Sequence, residues 1–357
     1  MSRVSVVVAA LIIAELLLTP PPLAAEPYLS LRTGLKCSTC HVNRTGGGGR
    51  NDFGSAWGQT QLPLRTVGIR TRNLNDWVAL GFDVRSRFSA AASDASPQTV
   101  FDIPEAQVQL QATVIPNALS VYVDETVGPE RASARELFAL VNLPLGGWAK
   151  AGKFLLPYGW RLWDDNAYIR SETGFTYATP DVGVEVGIEP GPLSWSLAVS
   201  NGSQGGGEGD DGKMITSSAA LIFPFGRVGA SASRNASPVA TTTAFGGFAG
   251  VRVGPVVVLG EADWIQGRST GQPDRDQLVA YVEGDLLLHR GVNVKIAYGY
   301  HDRNLDVVED QRIRMRFGVE IFPVGFAQLS LFYTLLDDIP QVTTDVDQIG
   351  LEAHIFF

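Results

Sequence analysis

The chain has 357 residues with a formal charge of −9; 45% are hydrophobic, 18% are charged, 39 are glycines and two are cysteines. An acidic balance argues against nucleic acid as a partner. A chain apolar throughout, yet with no continuous run long enough for a spanning helix after its first residues, fits alternating strands better than helices.

Residues 1–25 read as a secretory signal peptide. Arg3 supplies the positive start, Val4 to Leu18 the apolar stretch, Thr19-Pro20-Pro21-Pro22 the break, and Ala24-Ala25 the small residues for cleavage.

Residues 26–74 form a second segment rich in Gly, Asn and Arg, and both cysteines fall here, in Cys37-Ser38-Thr39-Cys40-His41. In an exported chain this motif has three readings. A disulfide across C-x-x-C closes a tiny loop and gains little entropy. Structural zinc needs four ligands, and no further Cys or His lies nearby. Attachment of haem c uses all three residues: two thioethers on the porphyrin edge from Cys37 and Cys40, and His41 as the proximal ligand of the iron. The pattern therefore points to one covalent haem, with a redox dithiol or a fortuitous match as the alternatives. The glycines at 46–49 suit tight turns, or close approach to a flat ligand. Phe53 and Trp57 could pack on the macrocycle. Fewer than 50 residues rarely enclose a haem alone, so neighbouring surface must complete the fold.

From residue 75 to 357 the period changes to two. Ala106, Val108, Leu110, Ala112 and Val114 alternate with polar neighbours, as do Ile313 to Ile321 and Ile349 to Phe357. Short turns are expected at 116–118, 144–146, 190–192, 224–226, 254–255, 289–291 and 323–325. Longer polar connections are expected around 90–99, 128–133, 157–180, 201–212, 234–241, 266–277, 302–310 and 337–346. Seven short turns alternating with eight long loops join sixteen antiparallel strands: an all-β, transmembrane outer-membrane barrel with both termini periplasmic. The terminal Phe357 on the apolar face suits such a barrel. The haem segment would be its plug or periplasmic cap.

A sixth ligand for the iron must then come from the barrel, from Lys36, or be absent. His354 lies on the lumen phase near the periplasmic end, and His301 and Met214 on the lumen phase near the outer end; these three are the distal candidates. Met315 falls on the lipid face and His289 in a turn. Lumen charges Asp83, Arg85, Arg87, Lys150, Lys295, Arg312, Arg314 and Arg316 could hold a plug or line an anion path. Phe154 to Leu162, leading into Asp164-Asp165, suggests a constriction or an exposed loop. Acidic residues of the long loops, among them Asp164, Asp165, Glu208, Asp210, Asp211, Asp337 and Asp338, could attract Fe(II).

A signal peptide, one CxxCH close behind it and a sixteen-stranded barrel together resemble the fused monohaem cytochrome–porins of outer membranes. Cys37, Cys40 and His41 carry the resemblance, with Pro157-Tyr158-Gly159 on the porin side. It implies an outer-membrane electron-transfer protein acting between an extracellular donor, Fe(II) in the best-known members, and a periplasmic c-type cytochrome or other carrier. Such a chain would act as an Fe(II):cytochrome c oxidoreductase or as an electron carrier. The rival reading is a porin for small solutes or anions with the haem segment as gate or sensor, and a trimer is an open expectation.

Overall fold

The computed structural model describes residues 26–92, 97–128, 132–338 and 346–357. The signal-peptide reading of residues 1–25 lies outside them. Sixteen antiparallel strands, each paired with its sequence neighbours, close into a barrel where β1 (Val78–Ala92) meets β16 (Val346–Phe356). The strand pattern explains the closure. In β6 (Asp181–Ile188), Val182, Val184, Val186 and Ile188 face outward, while Asp181 and Glu185 are buried inside. In β14 (Gln311–Val324), Met315, Phe317 and Val319 are outward and Arg314 and Glu320 inward. An apolar belt of this kind on a closed sheet is the surface a bilayer requires, and closure leaves no unpaired edge within it.

The short connections fall where expected, for example at 144–146 before β5 (Gly147–Phe154) and at 224–225 between β8 (Lys213–Phe223) and β9 (Gly226–Ala236). Phe357 exchanges backbone hydrogen bonds with Phe82 (2.9 and 3.1 Å) and its ring lies 5.8 Å from that of Phe82, which seals the last strand to the first. The long side is less uniform than expected. The connection predicted at 234–241 shrinks to 237–239, because β9 and β10 (Ala240–Val253) keep pairing from Thr241↔Ala236 onward. Strands range from 8 to 18 residues, β2 (Gln98–Ile115) being the longest.

Two segments occupy the lumen. The first is the N-terminal segment, with α1 (Pro27–Thr33), α2 (Cys37–Cys40) and α3 (Asp52–Gln61). The second is the connection 155–180 between β5 and β6, which folds inward and includes the one-turn α4 (Tyr168–Ser171). Tyr28, Leu29 and Leu31 of the first pack in one core with Leu156, Tyr158, Trp160, Leu162, Ile169 and Phe175 of the second and with Phe138, Phe248, Leu259 and Tyr281 of the wall. The loop is a filled constriction, not an exposed connection. Its sharp entry needs Gly159 (φ 50°), where a Cβ would collide with the Glu261 carboxylate. The barrel interior is thus largely a packed core.

Candidate functional site: a cleft at the CxxCH motif

The motif sits at the short-turn end of the lumen. Lys36, just before it, donates from Nζ to the carbonyls of Glu189 (2.7 Å) and Leu193 (2.9 Å), which flank the turn between β6 and β7 (Leu193–Ser200). Ser38, inside the motif, donates to the Glu189 carboxylate (2.5 Å). Asn51 caps α3 by accepting from the Gly54 N–H (2.9 Å), and its amide nitrogen donates back to the carbonyls of Ser38 (3.2 Å) and Thr39 (3.1 Å). The motif is therefore clamped by the barrel turn on one side and by the following helix on the other.

The glycine run does what a tight turn needs. Gly46, Gly47 and Gly48 have φ of 91°, 84° and 61°, accessible to glycine without strain. The chain doubles back there, so that Val42 N–H donates to Gly49 O (3.0 Å) and His41 pairs with Arg50.

Cys37, Cys40 and His41 together line a cleft of ≈ 980 Å³, counting its open mouth. Its apolar walls are Leu29, Leu35, Ala220, Ile222 and Phe248, with Tyr158 and Trp160 of the infolded loop, and Lys36, Arg44, Arg161, Arg227 and three wall serines line the remainder. The two thiols are free and half-buried. Burial first, and Cys37 second, push the Cys40 thiol up to about 11. Burial and the nearby Arg50 lower His41 to about 4, so its imidazole is neutral at pH 7. His41 Nδ1 is buried with no hydrogen-bond partner. Two free thiols at C-x-x-C spacing, a neutral imidazole directly after them, and an aromatic and aliphatic wall on one side of the cleft are a donor set that fits haem c.

The structure places the other predicted residues as follows. His354 faces the lumen near the short-turn end, and with His41 it lines a neighbouring cavity of ≈ 790 Å³. It is engaged there by Asp83 (Nε2–Oδ1 2.8 Å) and Gln328 (Nδ1–Oε1 2.9 Å). His301 lies at the other end, against Gln277 (2.9 Å) and the ring of Tyr168. Met214, near the start of β8, packs against the core. None of the three lines the cleft shared by the thiols and His41. Trp57 does not reach it either: it packs with Leu62, Phe322 and Phe356 in a separate cluster between α3 and the wall, and Phe53 is exposed. Lumen charges are largely paired: Arg85 with Glu105 (2.9 Å) and Glu352 (3.0 Å), Lys150 with Glu185 (3.1 Å), and Arg314 and Arg316 with Asp164 (2.7 and 2.6 Å). Among the described residues, no three His, Cys, Asp or Glu side chains are grouped to hold a metal ion.

Sequence reasoning missed three lining arginines, Arg44, Arg161 and Arg227, and the role of Tyr158 and Trp160 as a wall. The strong apolar run 154–162 was the only signal for that wall.

Fold and contents define a porin-type barrel with a plugged lumen. No family model and no curated protein matches the chain. Solved structures do. OmpT expressed in the outer membrane of Vibrio cholerae is 14% identical, covering 81% of this chain and all of that one with a TM-score of 0.62. An anion-selective porin from Comamonas acidovorans is 9% identical, over 78% of this chain and 99% of its own, with a TM-score of 0.65. OmpF of Salmonella typhi, solved with daunomycin, is 14% identical over 78% and 97%, with a TM-score of 0.59. At such identities the likeness is one of fold.

Proposed function

We propose that the chain is an outer-membrane electron-transfer protein whose porin barrel holds one haem c on Cys37, Cys40 and His41. The single observation that carries the reading is the placing of these three side chains on one cleft, walled in part by aromatic and aliphatic residues, inside a filled lumen. When bound, the haem supplies a one-electron centre in a low-dielectric pocket, whose burial and surroundings set its potential. The chain's own residues do the rest. Lys36 and Ser38 fix the motif to the barrel turn, Tyr158, Trp160 and Phe248 exclude water, and the packed core of plug and loop denies solutes an open path. Following the resemblance, the donor is extracellular Fe(II) and the acceptor a periplasmic cytochrome beneath the short turns. The experiment is a haem stain on a denaturing gel, followed by the visible spectrum on adding Fe(II). A stained band that reduces supports the proposal; an unstained protein ends it.

A second reading is a porin for small solutes or anions, with the N-terminal segment as gate. The comparisons speak for it more directly: the solved barrels of this shape are porins and outer-membrane proteins, one of them anion-selective and one described in a trimer form. Planar-bilayer recording decides. Large steady channels from the full chain favour the porin; silence, with channels appearing once residues 26–74 are deleted, favours the plugged conduit. Chemical cross-linking in detergent tests a trimer.

A further inference from the structure

A second cleft, of ≈ 1200 Å³ counting its open mouth, lies at the short-turn end between the first turn of α3 and the start of β1. Asn51, Asp52 and Phe53 of the plug line one side, and Asp76 and Trp77 of the connection into β1 the other. Two aromatic side chains stand exposed on it, Phe53 at 48% and Trp77 at 53%. Neither belongs to the lipid belt. Phe53 is carried by the plug. In β1, Phe82 and Val84 face outward while Ala79 and Arg85 are buried inside, and Trp77 continues that inward phase, its carbonyl accepting from the Thr113 N–H of β2 (2.7 Å). Phe225, exposed on another short turn, differs: it stacks on the outward Phe223 at 6.0 Å. Aromatic side chains left in water on a concave surface mark an interaction site, and Trp is among the residues that anchor interfaces.

The charge of the cleft is one-sided. Its charged lining is Asp52 and Asp76, both exposed, with no lysine or arginine. Asp52 accepts only from a neutral group, the Asn73 amide, at 3.0 Å. Arg72, in the same connection, is buried and donates to the Arg50 carbonyl and to Gln111 (3.1 Å). The exposed Arg65 and Arg70 lie toward the other end of α3, beside Val324 and Gln59.

The cleft also backs onto the CxxCH. The Asn51 N–H donates to the Cys40 carbonyl (2.9 Å), and α3 lies so close that a Cβ on Gly54 would collide with that same carbonyl. Asn51 therefore touches the motif with one side and lines the cleft with the other. One layer of backbone separates Cys40 from the outside.

We propose that this cleft docks the electron acceptor, a small soluble redox protein whose exposed cofactor edge is ringed by cations. Phe53 and Trp77 form the apolar centre of the contact, and Asp52 and Asp76 steer the partner's positive rim. One electron passes: the haem on Cys37 and Cys40 is oxidised as the partner's centre is reduced. The inference rests on the electron-transfer reading and deepens it by placing the acceptor and giving the sign of its charge.

The test uses the detergent-solubilised full-length protein. Covalent haem is scored first by stain; its absence from the wild type ends the electron-transfer reading and this inference with it. With haem present, a failure below strikes the docking site alone. Binding is titrated by calorimetry with a mitochondrial-type cytochrome c, whose haem edge is ringed by lysines, and with an acidic blue-copper protein. The basic probe binds, more weakly as salt rises, and the acidic one does not. Phe53→Ser and Trp77→Ser each weaken the basic probe about tenfold, as loss of an interface anchor does. Asp52→Asn/Asp76→Asn weakens it several-fold at low salt and flattens the salt dependence, while Leu145→Ser on another short turn leaves it unchanged. A second measurement needs no variant: in hydroxyl-radical footprinting of the wild type, the basic probe protects Phe53 and Trp77 and not Leu145. Tighter binding of the acidic probe, variants with wild-type affinity, an equal loss in Leu145→Ser, or no footprint at Phe53 and Trp77 overturns the proposal. So does a change in oligomeric size of Phe53→Ser and Trp77→Ser without loss of the probe, which puts a second copy of the chain in the cleft.

Discussion

The two segments that fill the lumen are held to the wall in different ways. The loop 155–180 is fastened at few points, and each is nearly complete. Glu261 accepts from the Trp160 N–H (2.7 Å), Asp263 from the Tyr158 hydroxyl (3.0 Å), Ser231 from the Gly159 N–H (2.9 Å), and Asp164 receives Arg314 and Arg316. The remainder is aromatic packing, such as the Tyr158 and Phe175 rings stacked 4.1 Å apart. The N-terminal segment makes more polar contacts, from Glu26 on Lys295 (2.9 Å) to Asn43, which donates to Glu136 (2.5 Å) and accepts from Lys150 (2.8 Å). Both leave buried atoms unmatched: His41 Nδ1 and atoms of Arg32 and Arg72 in the N-terminal segment, Arg161 Nε and Arg170 Nε and Nη2 in the loop. Buried polar atoms are rarely left so in a finished core. The loop supplies the aromatic wall, and the N-terminal segment supplies the two thiols and the imidazole.

The largest test of that contrast is all-or-none. Cys37→Ser/Cys40→Ser should abolish haem staining while the barrel still shows its heat-modifiable gel mobility. Staining that persists would make the motif incidental.

Next in size is Lys295, within 3.8 Å of four carboxylates: Glu26, Glu283, Asp285 and Glu320. Only Glu26 belongs to the plug; the other three are wall residues. Lys295→Met leaves these acids without their shared cation and should cost about 3–5 kcal/mol, the usual penalty for breaking a buried ion pair. Denaturant unfolding in detergent would show it. A loss no larger than that of a surface lysine would mean the plug is not tied there.

A smaller effect is expected in the loop. Gly159→Ala strains a positive φ and drives a methyl into Glu261, displacing the Trp160 anchor. A loss of about 1–3 kcal/mol follows. Because Trp160 also walls the cleft, the same variant should broaden the haem spectrum if loop and cofactor are coupled.

The barrel was legible because its signals are local and repeated. Alternation in β14 and β16 assigns faces residue by residue, and Pro or Gly marks the short turns. The CxxCH was legible because three reactive residues are contiguous. The rest depended on distance in space. Nothing near Arg227 in the chain announces Cys37, 190 residues away, and His301 and Met214 share the lumen phase with His354 although only His354 adjoins the His41 side. A period of two gives the face of a residue but not what the infolded loop places against it. Direction of folding was the other gap. The run at 154–162 is equally apolar in a loop that folds inward and in one that does not, and the deciding acids, Glu261 and Asp263, lie a hundred residues on.

The gentlest probe of the comparison is pH, because Asp164 is the loop's most closely ion-paired acid, Glu172 meeting Arg312 only at 3.6 Å. Burial opposes ionisation of its carboxyl, but the guanidiniums of Arg316 and Arg314 outweigh burial and hold it well below the usual carboxylate range. A group depressed on folding stabilises the folded state above its unfolded value, about 4, and loses that contribution as pH falls toward the folded value. The loop should therefore keep its full hold down to about pH 4 and loosen progressively below it. Neighbouring Asp165 is raised, by burial first, and pushes the opposite way, so the wild-type curve alone does not isolate Asp164. Asp164→Asn does. It lowers stability at pH 7 and flattens the loss between pH 4 and pH 3, measured as the shift in thermal midpoint of the detergent-solubilised barrel. Parallel wild-type and variant curves would mean that Arg314 and Arg316 do not hold the loop through this carboxylate, and that its aromatic packing and the Glu261, Asp263 and Ser231 hydrogen bonds keep it folded into the lumen.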